Sequence, residues 1–85
     1  MEFLIRGYVD KITLEDVLRF ALDNGVSLNS YEADVLLYYV KNYWRDLLYG
    51  NCDYIFLELR DKIGDKALEA EKVLSLYKKK YKNYL

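Results

Sequence analysis

Apolar residues recur at steps of three and four through most of this 85-residue chain, the repeat of helices that bury one face. The longest such run is NSYEADVLLYYVKNYWRDLLYG, from Asn29 to Gly50. Ala33, Leu36, Leu37, Val40, Trp44 and Leu47 form its stripe. Asn29 suits the N-cap, Glu32 stands at the capping-box position three residues on, and Leu28 lies just outside. Gly50 falls where a left-handed residue closes a helix. The pattern predicts a helix over about 30–49, on which a small all-α bundle of about four helices is organised.

The flanking segments read the same way. In Glu2 to Lys11, the positions of Phe3, Ile5, Tyr8, Val9 and Ile12 suit a short helix. FLIRGYV would also pass for a strand, but no second strand-like run follows to pair with it. Thr13-Leu14-Glu15-Asp16 has the form of a capping box with Asp in the acidic position, and Ile12 and Val17 form a hydrophobic staple. Leu14, Val17, Leu18, Ala21 and Leu22 make the stripe of this helix. Asn24-Gly25 ends it, and Val26 folds back as in a Schellman closure. After Gly50, Asp53 is the expected cap of a helix over about 54–63, with Ile55, Leu59 and Ile63 on one side. Gly64-Asp65 breaks the pattern, and Asp65 is the expected cap of a last helix over about 66–83. There Ala67, Ala70, Leu74, Tyr77, Tyr81 and Tyr84 follow heptad spacing. Two and a half heptads do not demand a coiled coil, so this seam is expected to dock on the body with Leu68, Val73 and Leu76.

Composition makes the chain globular: 53% of residues are apolar and 32% are charged. Without Pro or a Gly/Ser linker, residues 1–85 read as one domain with a modest core. The net charge of −1 directs nothing globally, but it is unevenly spread. Residues 1–65 carry seven Lys or Arg against twelve Asp or Glu, whereas residues 66–85 carry six against two. One Cys allows no internal disulfide, and no apolar run approaches the roughly 18 residues of a membrane span. With no signal-peptide pattern at the start, the expected setting is cytoplasmic.

The stretch ITLEDVLRFALDNGVSLNSYEA (Ile12 to Ala33), together with the turn from Gly50 to Ile55-Phe56, resembles the YqfT-like proteins of Bacillus-type Firmicutes, a small uncharacterised bacterial family. Its members have a comparable Thr-capped helix, a short Gly-containing connection, a longer helix and a Gly-x-x-x-x-Ile-Phe turn. The likeness covers about half the chain. This sequence departs from it beyond Phe56 and in its load of ten Tyr. The family carries no established activity, so the resemblance implies a helical fold and a bacterial cytoplasmic setting, and no site residues.

Chemistry is narrowed mainly by what is missing. With no His, the commonest general base and metal ligand are gone, and every Ser-His, Cys-His and His-metal arrangement with them. Gly7, Gly25, Gly50 and Gly64 are isolated, so no phosphate-cradling loop exists. Asp23-Asn24-Gly25 lacks the spaced ligands of a calcium loop. Cys52 has no recognisable activating group beside it and reads as a small turn residue. No enzyme, cofactor or metal is therefore expected. Ala21-x-x-x-Gly25-Val26 matches the corner of a helix-turn-helix, but Glu32 and Asp34 would meet phosphates in the first turns of the reading helix, which argues against DNA reading.

Two surfaces remain as candidates. Tyr38, Tyr39 and Tyr43 on the long helix, with Tyr77, Tyr81 and Tyr84 on the last, offer more aromatic area than a small core easily covers; Tyr is enriched at protein interfaces. They point to a non-catalytic protein-interaction module, with a protein partner or a second copy in a homodimer. The alternative is a nucleic-acid-associated protein acting through Lys78, Lys79, Lys80 and Lys82, whose charges neutralise phosphates while interleaved Tyr rings stack on bases.

Overall fold

The computed structural model describes residues 2–50 and 52–83, and among these every regular element is helical. The helices are α1 (Glu2–Asp10), α2 (Leu14–Asp23), α3 (Ser30–Leu48), α4 (Asp53–Ile63) and α5 (Ala67–Lys82), with a 3-10 turn at Gly64–Lys66. The small all-α bundle on a long central helix is thus the observed architecture, with the ambiguous first segment folded as a helix.

Local chemistry fixes the first corners. Thr13 Oγ1 accepts from the Asp16 N–H at 3.2 Å, while the Thr13 N–H donates to the Asp16 carboxylate at 3.0 Å. Asn29 and Glu32 exchange the same pair of bonds at 2.8 Å each. Each box satisfies donors that a helix start would otherwise leave orphaned. The end of α2 is a Schellman closure: the Val26 N–H donates to the Ala21 carbonyl at 2.8 Å and the Gly25 N–H to the Leu22 carbonyl at 3.0 Å. Gly25 takes φ +80° there, a left-handed conformation that a Cβ would strain.

Two expected caps are corrected. Cys52, not Asp53, occupies the N-cap of α4, and Lys66, not Asp65, that of α5; neither makes a side-chain capping bond. Asp53 is instead the first helical residue, where its charge still complements the helix dipole. Asp65 lies inside the 3-10 turn that leads into α5.

Each of the other four helices packs on α3, and α4 also packs on α5. The core is one contiguous cluster, running from Ile5 and Val9 through Leu36, Val40 and Trp44 to Ile55, Leu59 and Leu74. Its compactness matches its size: the radius of gyration is 11.9 Å, against about 12 Å expected for a globular chain of this length. Leu22 and Leu68, read as core-facing, are exposed, as are Phe3 and Tyr8 on α1. In α1 only the Ile5–Val9 side meets the body, because a peripheral helix is covered on one face alone.

Helix α3 is not straight. At Tyr43 the backbone leaves helical geometry (φ −131°, ψ 21°). One residue earlier, the Asn42 side-chain amide donates to the Tyr38 carbonyl at 2.8 Å. A side chain that enters the i→i−4 ladder in this way bends a helix.

Candidate interaction surface

The kink lies in the middle of the aromatic cluster. The ring centroids of Tyr38 and Tyr39 are 5.3 Å apart and nearly perpendicular, and Tyr43 lies 5.9 and 5.6 Å from the two. Tyr54, on the first turn of α4, extends the series with an edge contact to Tyr43 at 6.1 Å. These are the separations of favourable edge-to-face and tilted ring pairs. Lys62, two turns further along α4, lies with its ammonium 5.5 Å from the Tyr38 centroid and 5.4 Å from that of Tyr39, within cation–π range. Tyr31, seven residues before Tyr38 on the same side of α3, reaches the Lys62 carbonyl with its hydroxyl at 3.5 Å. Together Tyr31, Val35, Tyr38 and Lys62, with Asp34, line a shallow groove of about 330 Å³.

Two phenols of this cluster, Tyr43 and Tyr54, are held neutral. A hydrogen bond with Tyr38 raises the Tyr43 pKa above the usual tyrosine range, and the nearby charge of Glu58 adds to it. Tyr54 donates its hydroxyl to Asp46, and that bond, with partial desolvation and the Asp46 charge, pushes its pKa up to about 12. Tyr43 and Tyr54 therefore present neutral hydroxyl groups at physiological pH.

The six rings expected on the surface divide. Tyr38 is 48% exposed and Tyr43 half-buried. Tyr39, Tyr77 and Tyr81 are corrections: at 1%, 4% and 6% exposure they belong to the core. Tyr39 belongs to the contiguous core cluster, with the Lys62 ammonium 5.4 Å from its ring centroid. Tyr77 packs on Phe20 of α2 at 4.3 Å with the rings tilted by 31° and stacks on Tyr81 at 6.0 Å, so the seam of α5 is spent within the molecule. Tyr84 lies outside the described residues. Tyr31 and Tyr54, exposed members of the same face, were not among the expected six. Their signal was the seven-residue spacing from Tyr31 to Tyr38, and for Tyr54 only the packing of α4 supplies one.

On α5, Lys79, Lys80 and Lys82 are exposed and Lys78 is half-buried. Lys80 lies over Phe20 and Tyr81, 5.3 and 5.8 Å from their centroids. A nucleic-acid site needs rings open to bases beside such cations; of the two Tyr interleaved with these lysines, Tyr81 is buried and Tyr84 lies outside the described residues.

A second concavity, about 540 Å³, opens between α1 and the kink of α3. Its charges are mixed, Arg6, Lys41 and Arg45 against Asp10 and Asp46, and Asp46 is already engaged by Tyr54. Among the described residues no group of His, Cys, Asp or Glu is placed to hold a metal ion, and no helix is long and apolar enough to cross a membrane. No family model, curated protein or solved structure matches the chain. The resemblance to the YqfT-like proteins therefore rests on the quoted residues alone.

Proposed function

We propose that this protein is a non-catalytic interaction module that binds protein through the tyrosine face of α3 and α4, and that it works in the bacterial cytoplasm. One observation carries the reading. Tyr38, Tyr43 and Tyr54 form a connected strip that Tyr31 continues across the shared groove; Tyr31, Tyr38 and Tyr54 are exposed and Tyr43 is half-buried, while equally bulky rings a few residues away are fully covered. Rigid, neutral, partly exposed phenols supply contact area at low entropic cost and keep a hydroxyl for orientation. A chain of this size with room to bury Tyr39, Tyr77 and Tyr81 leaves Tyr31 and Tyr38 exposed on its central helix and Tyr54 on α4. The other exposed apolar residues, such as Leu22, Leu57 and Leu68, lie on different helices and serve as ordinary surface.

A photo-crosslinking amino acid placed at position 31, 38 or 54 tests this in cells. Discrete adducts are expected from these three positions and not from position 79 on the solvent side of α5. Absence of adducts at all three rejects the reading.

A further inference from the structure

The groove at one end of the tyrosine strip has a property that a general docking face would not need. Its floor is aromatic and apolar, formed by Tyr31, Val35 and Tyr38, and it carries one acid and one base: Asp34 on α3 and Lys62 on α4. Asp34 is exposed, and neither residue has an ion-pair partner among the described residues. Lys62 is held instead over the rings of Tyr38 and Tyr39. The groove is therefore electrically balanced on a body that is otherwise acidic, with twelve Asp or Glu against seven Lys or Arg in residues 1–65.

From this we infer that the occupant of the groove is a second copy of this chain, docked face to face about a two-fold axis. The inference rests on the interaction reading above and names its partner. In an isologous contact every residue meets the image of another on the same patch. An axis running along the groove brings Asp34 of each copy opposite Lys62 of the other, so both charges find partners at once, and Tyr31 and Tyr38 close over their counterparts. A strongly basic or acidic partner would match only one of the two charges and repel the other. A patch that carries both is complementary to itself.

The contact is small. An aromatic side chain buries about 150–250 Å² when fully covered, and Tyr31, Tyr38 and Tyr54 are only 59%, 48% and 36% exposed. That falls short of the roughly 800 Å² per partner of a standard interface, so the dimer is a weak one, formed at micromolar concentration or above.

Charge exchange tests the arrangement. Asp34→Lys and Lys62→Glu are prepared separately in the full chain and compared with the native protein by sedimentation velocity at high micromolar concentration, with helicity checked by circular dichroism. The native chain is expected to self-associate, each single variant to weaken association about tenfold or more, and an equimolar mixture of the two to recover it, since each charge again meets its opposite. A native chain that stays monomeric overturns the homodimer, while crosslinks to other proteins at positions 31 and 38 would leave the interaction reading standing. Native self-association that neither variant weakens overturns the pairing of Asp34 with Lys62. Should Lys62→Glu lose helicity because Lys62 lies over the Tyr39 ring, Lys62→Gln replaces it and is expected to weaken association less than Asp34→Lys does; equal or greater weakening counts against the pairing.

Discussion

Tyr39 combines full burial with a hydroxyl that has no hydrogen-bond partner among the described residues. A buried, unpaired hydroxyl costs about 1–3 kcal/mol, which removal of the oxygen recovers without touching the ring. Tyr39→Phe is therefore expected to leave stability unchanged or raise it by about 1 kcal/mol, read as a urea midpoint at or above the native one. Thr13 is the opposite case. Its hydroxyl caps α2, and Thr13→Ala is expected to cost about 1 kcal/mol. The reciprocal bond from the Thr13 N–H lowers the Asp16 pKa below 3.8, with the Thr13 hydroxyl contributing next. A depressed carboxylate pKa stabilises the fold at pH values above 3.8, and the contribution is lost as pH falls through the lower folded value. Urea midpoints taken down an acid series should accordingly fall less steeply for Asp16→Asn than for the native chain.

At the scale of the helices, α5 separates what spacing reveals from what it hides. Its heptad positions Ala67, Ala70, Leu74, Tyr77 and Tyr81 are all buried, and Leu68, one residue out of phase, is 69% exposed. Leu74→Ala is expected to cost about 2–5 kcal/mol, and Leu68→Ala to stay within about 0.5 kcal/mol. Chemical denaturation of the pair checks both. Caps at Thr13, Asn29 and Gly25 were legible because each is settled by residues within one turn. Asp53 and Asp65 have the same chemistry but do not cap, because the chain enters α4 one residue earlier and reaches α5 through a 3-10 turn. The kink was hidden for a related reason. Asn42 is an ordinary surface residue in the sequence, and only its geometry shows the amide turned back on the Tyr38 carbonyl. Which rings of α3 stay exposed is likewise decided by how the other helices pack on it, contacts distant in sequence.

For the molecule as a whole, the tyrosines tie folding to alkaline pH. Burial holds the Tyr77 phenol far above the usual value of 10.0, helped by Tyr81 and Asp16, and Tyr54 is held at about 12 by its bond to Asp46. A pKa raised on folding means that the neutral phenol is the form the native state favours. That stabilisation is complete below pH 10.0, the unfolded value, and is lost as pH rises through 12 and beyond. The phenolate absorbance of Tyr54 and Tyr77 is expected to develop late in an alkaline titration, together with loss of helicity. Ionisation of all the rings with the helices intact would contradict this picture. Charge contributes little in comparison: among the described residues the ion pairs are Arg60–Glu71 and Lys66–Glu69, both at least partly exposed. Pairs of that kind contribute about 0–1 kcal/mol.

The packing of α3 against α5 also sets a timetable. The apolar side of α3 is made before α4 and α5, and the helix that covers much of it is the last of the elements described here. Until α5 emerges, Leu36, Val40 and their neighbours have only α1, α2 and α4 to shelter them. The nascent chain therefore carries a half-covered helix from the completion of α3 until α5 is made, and its cooperative collapse waits for the lysine-rich segment.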